Sequence, residues 1–356
     1  MLPFEPACLA TAIGSVPHTE ALRACELVFE MFPDIPFWPQ LPKRSRLENM
    51  YYQFASNLPA TEEHDGKLVM HTAEHFEEAV MQFYQKYLDS GQDAFALSAE
   101  RAKGFFAFCE MAENKKPTPS GYRFFAVKAQ VTGPISYGLA LSDENGKPVL
   151  YNEMAMDCIC KNIAMVSCWQ EDALSVLNAP TIMCVDEPSM ATYGSAFFNY
   201  GSELVSHYLE LATEGVRSLI AVHCCANTDW SLLLDSPASI LSFDAYGYSD
   251  KLLLYAEQIG EFFQRGGALG VGIVPSQADA ASKETVDSLL ERLDAFYESL
   301  AVRGISPELA KKRTLITPSC GLGSQSEADA ETILNLTSQL SRRAREAYSL
   351  VGKQNP

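Results

Sequence analysis

Positive charge is scarce in this chain. Its 356 residues carry 27 Lys and Arg against 45 Asp and Glu, a formal net charge of −18. Nucleic acids and anionic membrane surfaces draw basic patches, so neither is expected as a main partner. Long apolar runs are missing too, and nothing approaches the ~20 residues of a membrane span. The stretch Met1–Ala10 has no basic region and carries Glu5. It does not read as a secretory signal, and a cytoplasmic protein is expected. Low-complexity tracts, repeats of solenoid length and recognisable linkers are also lacking, which leaves a single domain over residues 1–356 as the expectation. At 47% hydrophobic and 20% charged residues, such a chain buries a core without disulfide or metal staples.

Cysteine is not lacking. There are ten, at positions 8, 25, 109, 158, 160, 168, 184, 224, 225 and 320. Without a secretory context most read as small buried hydrophobes in a reducing compartment. Cys158 and Cys160, on a helical stretch, fall in this group.

Short apolar, β-branched runs alternate with amphipathic helical stretches along the chain. The runs are Leu9–Ile13, Phe124–Val131, Thr181–Val185, Ser218–Val222, Ile240–Phe243, Ala268–Val274 and Thr314–Thr317. Helical spacing recurs over Met154–Val176, Ser202–Glu214, Leu252–Phe263 and Lys283–Ala301. A last helix opens at a capping box formed by Ser324 and Glu327 and buries Ile333, Leu336, Leu340 and Ala347. Strands alternating with helices imply βαβ units and a parallel sheet covered on both faces.

Seven such units, with an eighth expected within residues 88–98, predict an α/β fold of the (β/α)8 TIM-barrel type. A doubly wound open sheet is the rival. Polar residues at the ends of many strands favour the barrel, whose site lies on that rim. Residues 34–120 are less regular, punctuated by Pro36, Pro39, Pro42 and Pro59, with helical stretches at Glu77–Leu88 and Glu100–Ala112. They are expected to form a partly helical insertion over the mouth, with the aromatic segment Asp34–Leu41 as packing or part of that mouth.

His223, Cys224 and Cys225 follow one apolar run and Cys320 follows another. Side chains alternate along an extended chain, so His223 and Cys225 share a side and Cys224 turns away. With Cys320 they make a nitrogen and two sulfurs, a set suited to a catalytic zinc that keeps one exchangeable position. The competing reading is ordinary core packing. Asp244 ends the intervening run and serves either as a fourth ligand or as a helix cap. On the same rim lie Ile13, Gly14 and Ser15, and the acids Asp186 and Glu187. The acids suit general acid–base work or a cationic substrate group, and Glu187 alternatively complements a helix N-terminus. His18, His64, His71, His75 and His207 are not expected to be ligands, although His71 and His75 stand four apart.

The ordered set Ala12-Ile13-Gly14-Ser15-Val16-Pro17-His18-Thr19, Thr132-Gly133-Pro134, Val185-Asp186-Glu187-Pro188-Ser189, His223-Cys224-Cys225 and Pro318-Ser319-Cys320-Gly321-Leu322 resembles the C-terminal catalytic barrel of cobalamin-independent methionine synthase. The superfamily also holds uroporphyrinogen decarboxylase and corrinoid-dependent thiol methyltransferases. The likeness runs from Leu9 to about Ala347 and is weak across residues 34–120.

It implies a methyltransferase with Zn2+ held by His223, Cys225 and Cys320, and Asp244 where the family usually has a glutamate ligand. It implies the substrate's carboxylate at Ile13, Gly14 and Ser15 and its amino group at Asp186. The expected substrate is a small thiol such as homocysteine, which becomes methionine. The family's proton-shuttling histidine would lie in Val271–Ser276, and none stands there. Nor does the length leave room for the second barrel of the folate-dependent enzymes. Both points favour a methylated corrinoid protein over methyltetrahydrofolate as methyl donor. The alternatives are a uroporphyrinogen-decarboxylase-like enzyme and a catalytically silent zinc- or thiol-binding barrel.

Overall fold

The computed structural model describes residues 2–114, 124–194 and 201–350. Its centre is a curled parallel sheet of seven strands. In chain order the strands are β1 (Leu9–Ala10), β2 and β3 (Thr61–His64 and Lys67–Met70, a separate antiparallel hairpin), β4 (Val127–Thr132), β5 (Thr181–Asp186), β6 (Leu219–Cys224), β7 (Ile240–Phe243), β8 (Ala268–Val274) and β9 (Thr314–Pro318). The sheet order is β1-β9-β8-β7-β6-β5-β4. Every pairing in it is parallel. All seven expected strand runs are therefore strands. Buried residues cover both sheet faces, as near-continuous apolar strands require.

The two edges of this sheet, β1 and β4, are bridged by residues 34–40. On one side Phe125 N–H donates to Asp34 O (2.9 Å), Lys128 N–H to Pro36 O (2.8 Å) and Trp38 N–H to Lys128 O (3.3 Å). On the other, Gln40 N–H donates to Gly14 O (3.0 Å) and Val16 N–H to Gln40 O (2.9 Å). Both bridges, Phe37 with Lys128 and Ser15 with Gln40, are parallel. Pro36 and Pro39 fit because the donors this segment supplies are Trp38 and Gln40. A small buried cluster takes Leu9, Ile35, Ala126, Ile182, Ala221, Ile240, Ala268 and Leu315, so Ile35 packs inward with side chains from six of the seven strands and with Ala126 just before β4.

The expectation of an eighth strand within residues 88–98 is corrected. That stretch holds the end of the helix Phe76–Ser90 and a 3-10 turn, Gln92–Phe95. Other helices stand near their expected places, at Lys103–Glu113, Glu153–Ser175, Ser202–Ala212 and Val286–Val302. The stretch expected as Leu252–Phe263 is divided into Ala245–Leu252, a 3-10 turn at Leu253–Tyr255, and Ala256–Gln264. The final helix, Glu327–Ala347, is capped by Ser326, whose hydroxyl accepts from Asp329 N–H, rather than by Ser324. Among the described residues no helix is long and apolar enough to cross a membrane.

Candidate functional site

Strand register lines up the polar residues at the C-terminal end of the sheet. Thr132 pairs with Asp186, Asp186 with His223, and His223 with Ser242, on four successive strands. Paired residues in a parallel sheet point to the same face, so this row lies on one side of the sheet, where Asp186 and His223 reach an open space. That space is a cavity of about 470 Å³ lined by Ile13, Ser15, Gln40, Lys43, Glu48, Asn49, Met50, Asp186, His223, Cys225 and Cys320, among others. Six residues singled out from sequence therefore meet in one cavity: Ile13, Ser15, Asp186, His223, Cys225 and Cys320. Gly14, Glu187 and Asp244 are not among its lining residues.

His223, Cys225 and Cys320 each offer a ligand atom, and the three atoms lie within 4.8 Å of one another. The buried imidazole is held by a 2.9 Å contact between its Nδ1 and Ser242 Oγ. Its Nε2 is buried without a hydrogen-bond partner. A buried ring nitrogen in that state costs stability unless something binds it, and a metal ion is one such partner. The two thiols influence each other. The Cys320 thiol beside Cys225 holds Cys225 below the usual cysteine range, against the opposing effect of burial. Cys320 is pushed up, first by that contact and then by burial. Of the two, Cys225 is therefore the more readily ionised, and the thiolate is the form a soft metal requires. A nitrogen and two sulfurs around an open cavity suit zinc with one exchangeable position. Cys224 is fully buried on the opposite side, in the core.

Asp186 points into the same cavity. Burial raises its carboxyl, while the charges of Lys128 and His223 oppose that rise. The Cys184 thiol donates to Asp186 Oδ1 at 3.4 Å. Glu187 has a different place. It is fully buried, and its carboxylate accepts Ile135 N–H (2.9 Å), Ser136 N–H (2.8 Å) and the Ser136 hydroxyl (2.7 Å) at the start of the helix Pro134–Ala140. This is the helix-terminal role. It also explains Gly133, where a Cβ would stand 2.3 Å from that carboxylate. Asp244 caps the helix Ala245–Leu252, its Oδ1 accepting Gly247 N–H at 2.7 Å, and it stands outside the cluster of ligand atoms.

Ser15 is packed against the other arm of the site. Gly323 N–H donates to Ser15 Oγ (3.3 Å) and Leu322 N–H to Ser15 O (2.9 Å). A Cβ on Gly321 would come within 2.3 Å of Ser15 Oγ, so a side chain there would displace the Ser15 hydroxyl. His71 and His75 are exposed and pair with Glu62 and Glu78, away from this cavity.

Sequence reasoning missed Ser242, Lys128, Gln40 and Glu48. Lys128 stands alone as a charge in an apolar strand, a signal that was legible. The segment bearing Glu48 carries capping residues: Ser45 Oγ accepts Leu47 N–H (3.2 Å) and Asn49 Oδ1 accepts Tyr51 N–H (3.0 Å). Glu48, fully buried, accepts Leu41 N–H (3.2 Å) and a bond from Arg44.

The class that fold and site define is an α/β protein with a curled parallel sheet and its cavity at the strands' C-terminal ends. Its fold is similar to that of a putative vitamin-B12-independent methionine synthase from Listeria monocytogenes, with a TM-score of 0.54 over 94% of this chain and 97% of that one, at 12% identity. A B12-independent methionine synthase from Shewanella sp. W3-18-1, in complex with selenomethionine, is also similar, at a TM-score of 0.47 and 19% identity over 68% of each chain. The first likeness shows a shared fold, and the second is too loose to add to it. No family model matches the sequence, and no curated protein matches it either.

Proposed function

We propose that this chain is a zinc-dependent thiol methyltransferase of the methionine synthase type, with homocysteine as its acceptor and methionine as product. One observation carries the reading: His223, Cys225 and Cys320 converge within 4.8 Å on a cavity that Asp186, Ile13 and Ser15 also line. The likeness in fold to the Listeria protein supports it. In this reading residues 34–40 act as the eighth strand of a (β/α)8 barrel, and the whole chain acts as one catalytic domain.

His223, Cys225 and Cys320 would hold the zinc. Zinc, when bound, lowers the pKa of a thiol in its open position and leaves the sulfur nucleophilic. The protein's own groups do the rest. Ser242 holds the His223 ring at Nδ1 and leaves the buried Nε2 for the metal. Asp186 receives the substrate's ammonium, and the Ile13–Ser15 turn receives its carboxylate. Both contacts set the sulfur toward the methyl group, as orientation demands.

The donor in this reading is a methylated corrinoid protein. Methyltetrahydrofolate needs its N5 protonated before transfer, and no histidine to do this stands in the strand-end segment Val271–Ser276, which closes on Ser276. That serine is buried, its N–H donating to Ser319 Oγ at 3.1 Å. Methyl transfer to homocysteine, measured with methylcobalamin and with methyltetrahydrofolate side by side, tests the reading. Transfer from methylcobalamin by protein carrying about one zinc is expected. Zinc below about half an equivalent with the three ligands intact overturns the metal reading, and activity with folate alone overturns the donor.

A further inference from the structure

Lys128 lies on β4 in a run that is otherwise apolar or neutral, and it is 4% exposed. Long charged side chains are seldom this buried unless they have a task. Its Nζ donates to the Ile13 carbonyl at 2.5 Å and lies 3.4 Å from Gln130 Oε1. Among the described residues no carboxylate lies within ion-pair distance of it, although its charge acts on the buried Asp186 carboxyl. Lys128 does not itself line the cavity, whereas Ile13 does. It therefore reaches the turn Ile13-Gly14-Ser15 from beneath.

Gln130, two residues on and hence on the same face of the strand, braces the turn from the same side. A Cβ on Gly14 would stand 2.7 Å from Gln130 Cδ, and Gly14 has φ of +140°, a backbone that other residues adopt with strain. The Gln130 amide donates to Trp38 O at 3.0 Å, which fixes Gln130 in turn. A turn that glycine alone enters without strain, pinned from below by two buried polar side chains, is a preorganised feature rather than a passive loop.

We propose that Lys128 is a positioning residue for substrate: by donating to the Ile13 carbonyl it fixes the Ile13–Ser15 turn in the form that receives the carboxylate of a thiol amino acid. This rests on the functional reading above. It assigns to Lys128 no contact with substrate and no part in the metal set. Because the effect passes through the carboxylate turn, it extends to any short thiol acid, with or without an amine.

The test is calorimetric binding of homocysteine and of 4-mercaptobutyrate, its analogue without the amine, to the zinc-loaded full chain. Lys128→Met removes the donor, and Lys128→Gln keeps an N–H able to reach a carbonyl. The methionine variant is expected to retain zinc and to bind both thiols about tenfold more weakly, the loss of one orienting hydrogen bond. Glutamine is expected to recover most of that loss. If the methionine variant does not fold, Lys128→Ala takes its place with the same expectations. Binding by the donor-free variant within about twofold of wild type overturns the proposal, as does equal loss in the glutamine variant. Wild-type protein that binds neither thiol overturns the functional reading itself, which separates the two failures.

Discussion

Ser242 and His223 sit side by side across β6 and β7, and the Ser242 hydroxyl lies 2.9 Å from Nδ1 of the imidazole. A ring held at Nδ1 presents Nε2, and Nε2 is the buried nitrogen without a partner. Ser242→Ala removes that hold. Zinc affinity, measured by competition with a chelator of known strength, is expected to fall about 10- to 100-fold while the far-UV spectrum is unchanged. An unaltered affinity would show that the ring needs no such support.

The two sulfurs differ from their neighbour Cys224 in where they point. Cys225→Ala and Cys320→Ala are each expected to reduce bound zinc from about one equivalent to near none. Cys224→Ala is expected to keep the metal and lose about 1 kcal/mol of stability through a small cavity in the core. Zinc loss in the Cys224 variant with the fold intact would contradict this assignment.

Asp244 distinguishes a cap from a ligand. As a cap its loss in Asp244→Ala costs ~1 kcal/mol, and Asp244→Asn, which can still accept from Gly247 N–H, costs a few tenths. Both variants are expected to hold zinc as wild type does. A fall in zinc stoichiometry for Asp244→Asn would make the carboxylate a ligand after all.

Glu187 predicts a pH dependence. Burial pushes its carboxyl up to about 7, against the hydrogen bonds from Ser136 and Ile135. Folded protein therefore holds this proton more tightly than unfolded chain, whose glutamate has the ordinary value of 4.5. Between those two values the native state binds more protons, so the contribution to stability falls as pH rises and is fully lost above about 7. Urea unfolding at pH 5 and pH 8 is expected to show a drop on the order of 3 kcal/mol at most from this group, absent in Glu187→Gln. Parallel pH profiles for the two proteins would refute it.

Much of this was legible in the chain itself. The alternation of apolar runs and amphipathic stretches determined the parallel α/β sheet, because a strand covered on both faces must be apolar throughout. The period of two along a strand determined that His223 and Cys225 share a side and that Cys224 turns into the core. Residues 34–40 hid their strand-like bridging behind two prolines, Pro36 and Pro39, since pattern reading treats proline as a breaker and cannot see that the needed donors are Trp38 and Gln40. The helix-terminal role of Glu187 was legible, but not the helix it serves, because Pro134–Ala140 belongs to another strand–helix unit.

What the tertiary structure alone decided is register and proximity. Nothing local in the sequence sets Ser242 on one side of His223 and Asp186 on the other, or Cys320 against Cys225. These meetings follow from how successive strands slide against one another as the sheet curls. They turn separate strand ends into one cavity, because paired residues of a parallel sheet face the same side.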